Sequence, residues 1–191
     1  MNDILIRISR AFAFAKVTHA EVKQLLMTTP FFLTIVTYFV SFLLFGIPGL
    51  FGRQFFTNGL SVIISLPGFL IAALAAVATF KNDTLDKEIP HPSPTISVKF
   101  QGVPEKISLT YRVFLSLLFG YLASFTLVLS FLLSAALSAP AGGLKCWVNV
   151  SYVCAATTEI ARFSGLFLLI HTLVVTLYGL YYVAWRMHIR D

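Results

Sequence analysis

Four stretches of this chain contain no Asp, Glu, Lys or Arg: residues 24–52, 54–80, 113–144 and 163–185. Each is longer than the ~20 apolar residues that cross a ~30 Å hydrocarbon layer, and each is rich in Leu, Ile, Phe and Val. A water-soluble domain of this size is about one quarter charged. This chain is 12% charged and 58% hydrophobic. The reading is an all-α integral membrane protein with four transmembrane helices.

Orientation follows from the basic residues. Segments 1–23, 81–112 and 186–191 hold eleven Lys and Arg: Arg7, Arg10, Lys16, Lys23, Lys81, Lys87, Lys99, Lys106, Arg112, Arg186 and Arg190. The opposite side holds three, Arg53, Lys145 and Arg162. This bias predicts cytoplasmic termini, N-in and C-in, in a cell inner (plasma) membrane. The net charge of +6 is then topological and lipid-directed, and no basic, aromatic-interleaved patch calls for direct nucleic-acid binding. The membrane partner implied is lipid.

The expected organisation is an N-terminal segment 1–23, a helix pair in 24–80, a cytoplasmic loop 81–112, and a second pair in 113–191 with an outer loop 140–162. In residues 3–23, Ile4, Ile8, Ala11, Phe12 and Ala15 share a helical face that Ile6 and Phe14 interrupt. This is either a membrane-surface helix or an extension of the first span. That span is expected to begin at "TTPFF", with Pro30 in its first turn, and to end at "GIPGLFG". Pro67–Gly68 predicts a kink in the second span, as a packing feature or a hinge.

Small residues recur at helix-face spacing: Gly68, Ala72 and Ala76 in the second span, and Ser116, Gly120 and Ser124, then Ser130, Ser134 and Ser138, in the third. Such rows let backbones approach closely in lipid. They predict packing contacts within the unit or between copies of a homo-oligomer.

In the outer loop, "CWVNVSYVC" alternates with period two and suggests a short β-hairpin closed by a Cys146–Cys154 disulfide. That nine-residue loop would contribute about 2–3 kcal/mol in the chain-entropy picture. Trp147 and Tyr152 would anchor at the interface.

The ionisable census bears on mechanism. None of the four runs holds a carboxylate, Lys or Arg, and the one intramembrane ionisable residue is His171. It either hydrogen-bonds a Ser or Thr of the third span or acts as a protonation switch. No HExxH, GxSxG or phosphate-binding loop occurs, and no metal-ligand spacing. No catalysis and no cofactor is expected.

The loop 81–112 carries most of the functional signal. After "KNDTLDKE" and the proline-rich "IPHPSP", the run "TISVKF" places Ile96, Val98 and Phe100 on one face. Beyond "QGVPE", "KISLTY" repeats the alternation with Ile107, Leu109 and Tyr111. Two alternating runs around a Gly/Pro turn read as a β-hairpin, or "PEKISLTYR" is a helix entering the third span. A lone hairpin is marginal in water, so its apolar face needs a cover. A cytosolic protein partner docking on those six residues is the expectation.

Four uncharged runs, cytoplasmic termini and a patterned loop at 81–112 give a layout that resembles KwaA, the family of membrane subunits of the two-component Kiwa anti-phage system. The likeness is architectural and covers the whole chain. It implies a bacterial inner-membrane oligomer that senses infection and holds a KwaB-like cytosolic effector, in antiviral defence. The competing reading is a small oligomeric pore or permease subunit, whose lining would be the serine row.

Overall fold

The computed structural model describes residues 12, 14, 15, 17, 20–46, 51–81, 84–90, 93–100, 103–138 and 151–188. Four helices in it are long and apolar enough to cross a membrane. The first, α1, joins three pieces: an α turn Ala20–Lys23, a π segment Gln24–Thr28 and an α stretch Thr29–Phe45. It is followed by α2 (Arg53–Thr79), β1 (Thr95–Phe100), β2 (Val103–Ser108), α3 (Tyr111–Ser138) and α4 (Ser151–His188).

The helices start and stop where the chain's backbone chemistry changes. Gly46 ends α1 at φ 66°, a left-handed conformation that only glycine adopts without strain, while its N–H bonds the Phe42 carbonyl at 3.1 Å. At its other end α1 is longer than the sequence suggests. Helix begins at Ala20, and Pro30, in the first turn of the Thr29–Phe45 stretch, lies ten residues inside the joined helix, so the extension reading holds from residue 20 onwards. Before it, Phe14 is fully buried and packs on Phe114 and Tyr121 at ring-centroid distances of 5.4 and 5.8 Å. The residue that interrupts the predicted amphipathic face is thus one that anchors the segment. Residues 1–11 lie outside the described residues.

α3 is the central helix. Leu115, Leu118 and Leu122 are fully buried and Phe119 nearly so. α2 packs antiparallel along α3, α1 packs on α4, and α4 also touches α3. The main core lies towards the hairpin end of the bundle. Leu70 and Val77 of α2, Leu25 and Leu26 of α1, and Val175 of α4 converge there on the α3 leucines. A smaller cluster of Phe51, Phe56 and Leu166 closes the opposite end.

The predicted small-residue rows do not make the tight contacts inside this unit. Gly68 and Ala72 are exposed, and Ser116, Gly120 and Ser124 are half-buried with Ala76. A Cβ added at Gly68 or Gly120 would meet nothing within 4 Å. The close approaches are at Gly165, where a Cβ would stand 2.8 Å from the Phe56 ring, and at Gly179, 2.7 Å from Leu118. Pro67 does sit inside α2, buried.

Two expectations about loops are corrected. α4 starts at Ser151, so the second half of "CWVNVSYVC" is helical and not a strand. A residue pattern of period two over so few positions is compatible with either state. Cys146, Trp147 and the side chain of Cys154 lie outside the described residues. The hairpin in 81–112 is present with an earlier second strand than predicted. β1 and β2 pair antiparallel with Ile96 opposite Ile107 and Phe100 opposite Val103. Residues 101 and 102 are all that separate them.

Gly165→Val is expected to destabilise the folded protein by about 1–3 kcal/mol, because the Phe56 ring has little freedom to retreat. Gly68→Ala, on an open face and still small, should change stability by no more than about 0.5 kcal/mol. Thermal unfolding of the two variants in the same detergent checks the contrast.

Candidate functional site

The hairpin is fastened to the helices by main chain as well as side chains. β2 runs almost directly into α3. Leu109 N–H bonds the Pro94 carbonyl at 3.1 Å, and Ile89 N–H bonds the Leu109 carbonyl at 3.2 Å. Tyr111 and Arg112 donate their N–H groups to Lys87 and Leu85 at 3.2 and 2.8 Å. The segment after α2 therefore lies beside the hairpin as a further, irregular strand, with a bridge between Glu88 and Thr110. Leu85 is 2% exposed and seats this segment in the main core.

Arg112 is the hub of this junction. Its Nε and Nη2 donate to the two oxygens of Asp86 at 2.6 and 3.0 Å, a bidentate pair. Its Nη1 donates to the carbonyls of Val77 and Phe80 at 2.7 and 2.9 Å. The last carbonyls of a helix have no intrahelical donor, and here one guanidinium supplies two of them. A single residue at the start of α3 thus caps α2 and grips the connecting segment. Asp86 is held below the usual carboxylate range, chiefly by these hydrogen bonds. In the sequence Arg112 counts only as a charge that sets topology.

The six residues predicted to dock a partner divide. Leu109 and Tyr111 are 3% and 8% exposed and belong to the protein's own core; Tyr111 is the first residue of α3. They are unavailable to a partner. The alternation continues through them because the core side of the strand becomes the core side of the helix. Ile96 is half-buried against the same core, while Ile107, directly opposite, is 45% exposed. Val98 and Phe100 share the Ile96 face by register, and their side chains lie outside the described residues. The open part of the described hairpin is Ile107 with Ser97 and Lys106.

A second polar arrangement lies deep in the bundle. His171 is 5% exposed, and its Nδ1 stands 3.0 Å from the Leu26 carbonyl. Its Nε2 stands 3.0 Å from the Tyr121 hydroxyl. A carbonyl only accepts, so Nδ1 carries the proton and donates, and the Tyr121 hydroxyl donates to Nε2. The partner on the third helix is therefore a tyrosine, not the Ser or Thr expected. The Leu26 carbonyl needs this donor for a specific reason. In an α-helical register it would pair with the amide of residue 30, and Pro30 has no N–H. The π segment sits at the same place, with Thr29 N–H reaching back five residues to Gln24. His171 fills the gap that Pro30 leaves and ties α1, α3 and α4 together.

At the end away from the hairpin, Tyr38 donates to Glu159 at 2.6 Å, and Arg162 pairs with the other carboxylate oxygen at 2.6 Å. Arg53 donates to the Leu137 carbonyl and caps α3. Glu159 and Arg162 are local partners at i, i+3 spacing, whereas their tie to Tyr38 and that of Arg53 to Leu137 join residues distant along the chain. Comparison with protein-family models, curated proteins and solved structures finds no match for this chain.

Interhelical hydrogen bonds in membrane proteins average about 0.6 kcal/mol and reach about 1.7. Tyr121→Phe should fall in that range, and His171→Leu, losing two bonds, should cost about 1–3 kcal/mol. Pro30→Ala supplies a donor to Leu26 by another route. The His171→Leu penalty should therefore shrink in a Pro30→Ala background, and a double-mutant cycle of unfolding free energies checks this coupling.

Asp86 lends its stabilisation above its ordinary pKa, near ~3.9. That contribution is lost as pH falls through its lower folded-state value. Asp86→Asn should therefore lower the unfolding midpoint at neutral pH, and the two midpoint curves should converge below about pH 4.

Proposed function

We propose that this protein is a multispan scaffold or sensor subunit of the inner (plasma) membrane, which assembles with copies of itself and docks a cytosolic protein through its hairpin. The carrying observation is mechanical. β2 continues into α3, and Arg112 binds the hairpin-side segment and the end of α2 at once. A surface fixed to two membrane helices can report their arrangement to a bound protein, which a flexible linker cannot do.

The lysine and arginine bias places the hairpin in the cytoplasm. The docking patch is centred on Ile107, whose face Val98 and Phe100 share by register, while Ser97 and Lys106 form the exposed opposite face of the hairpin. The exposed row of Gly68 and Ala72 on α2 is the face offered for contact between copies. The architectural resemblance to the Kiwa membrane subunits supports a bacterial defence setting and a KwaB-like effector. Nothing in the pattern of residues calls for catalysis or a cofactor. Two of the serine hydroxyls that a pore would need are directed at their own helix: Ser130 bonds the Leu127 carbonyl and Ser138 the Ser134 carbonyl, both at 2.8 Å.

Purification from native membranes in mild detergent, followed by native mass spectrometry, tests this. A homo-oligomer carrying a soluble companion is expected, and Ile107→Asp should reduce companion recovery at least fivefold while leaving oligomer mass unchanged. Unchanged recovery would refute the docking patch. Conductance in reconstituted vesicles by an oligomer lacking any companion would favour the pore instead.

A further inference from the structure

α2 and α4 touch near their ends away from the hairpin, where Gly59 meets Leu169 and Phe56 meets Gly165. Beside that contact they leave a groove of about 330 Å³. Its walls are Phe55, Gly59, Val62 and Leu66 on α2 and Leu169 to Leu177 on α4. The two hydroxyls in it are spent locally, Thr172 on the Leu168 carbonyl at 2.9 Å and Thr176 on the Thr172 carbonyl at 2.7 Å. What remains is apolar surface. Its rim, Val62, Leu173 and Leu177, is more than half exposed and opens sideways from the bundle.

The geometry points to a single lipid acyl chain as the occupant, in a phospholipid whose head group lies at the end away from the hairpin. Three observations carry this. Phe55 to Leu66 spans eleven residues, about 16 Å of helix at 1.5 Å per residue. One leaflet is about half of a ~30 Å hydrocarbon layer, so the groove has the depth of one leaflet. Its volume lies near the lower end of the ~300–1,000 Å³ typical of small-molecule sites. A helix of that length, about 10 Å across, would need on the order of 1,000 Å³, so a neighbouring copy could only rest on the rim. Finally, the groove's mouth is polar. Gln54 and Asn58 are exposed there, Asn58 one turn before Val62, and Gln54 donates to Asn58 at 3.2 Å. Amides above, with an apolar channel below, match an amphiphile with a polar head group. This site is separate from the hairpin and does not depend on the docking reading.

Native mass spectrometry of delipidated protein titrated with dipalmitoylphosphatidylglycerol tests it. Wild type should retain one lipid per chain. Val62→Trp and Leu173→Trp place an indole over the groove from exposed rim positions, so the fold should be kept, and each should weaken retention at least fivefold. Ile64→Trp, exposed on another face of α2, should bind as wild type does. Equal retention in all four proteins, or no retained lipid in wild type, overturns the proposal. A change in oligomer mass with unchanged lipid retention in the rim variants also overturns it, and assigns the groove to a subunit contact.

Discussion

The Leu26 carbonyl loses its helical donor at Pro30 and takes one from His171, which lies 145 residues later in the chain. In hydrocarbon, water cannot supply a missing donor, and an unsatisfied backbone group costs several kcal/mol. The same demand recurs at the helix ends. Arg112 serves the carbonyls of Val77 and Phe80, and Arg53 serves that of Leu137. Buried hydroxyls such as Thr34 and Thr126 turn back on their own helix, at 2.7 and 2.8 Å. Backbone satisfaction, more than apolar burial, decides which helices are tied to which. Lipid chains are as apolar as leucine, so burial gives helices little reason to prefer one another.

Much of the fold is legible in the sequence, for physical reasons that mark the limits too. A charge-free run is a direct statement about solvent, and all four appear as helices. A hairpin is signalled by alternation around Gly102, and it forms. Alternation, however, states only which side of a strand faces apolar surroundings, not what those surroundings are. Ile96, Leu109 and Tyr111 face the protein's own core, and Ile107 is the open one of the four whose side chains are described. Phe14, which interrupts the amphipathic face in the sequence, is a related case. Its helical phase is wrong for a surface helix, but it is placed well for a short turn that tucks under α3.

The polar ties were beyond reach because each joins residues far apart in sequence. Tyr38 with Glu159, Arg112 with Asp86, and His171 with Tyr121 carry no local spacing signal. Small-residue spacing misleads in the opposite direction. Gly68 and Gly120 fit the pattern and meet open space, while Gly165 and Gly179 fit none of the rows and meet Phe56 and Leu118. Close approach depends on where a neighbouring large side chain falls, which the helix's own sequence does not contain.

These ties divide the molecule along its axis. At the hairpin end, the large core, the Arg112 hub and the His171 bonds hold α1, α2, α3 and α4 in a fixed relation. At the other end, the core reduces to Phe51, Phe56 and Leu166, and beside the contact of Phe56 with Gly165 the two helices α2 and α4 leave an apolar groove. Because α2 is capped by a residue of α3, a change in the tilt of α2 would, on the proposed function, reach the hairpin as a rotation of the α2–α3 pair and not be absorbed in a linker. Lipid packing on one side of the membrane and protein docking on the other would then act on the same pair of helices.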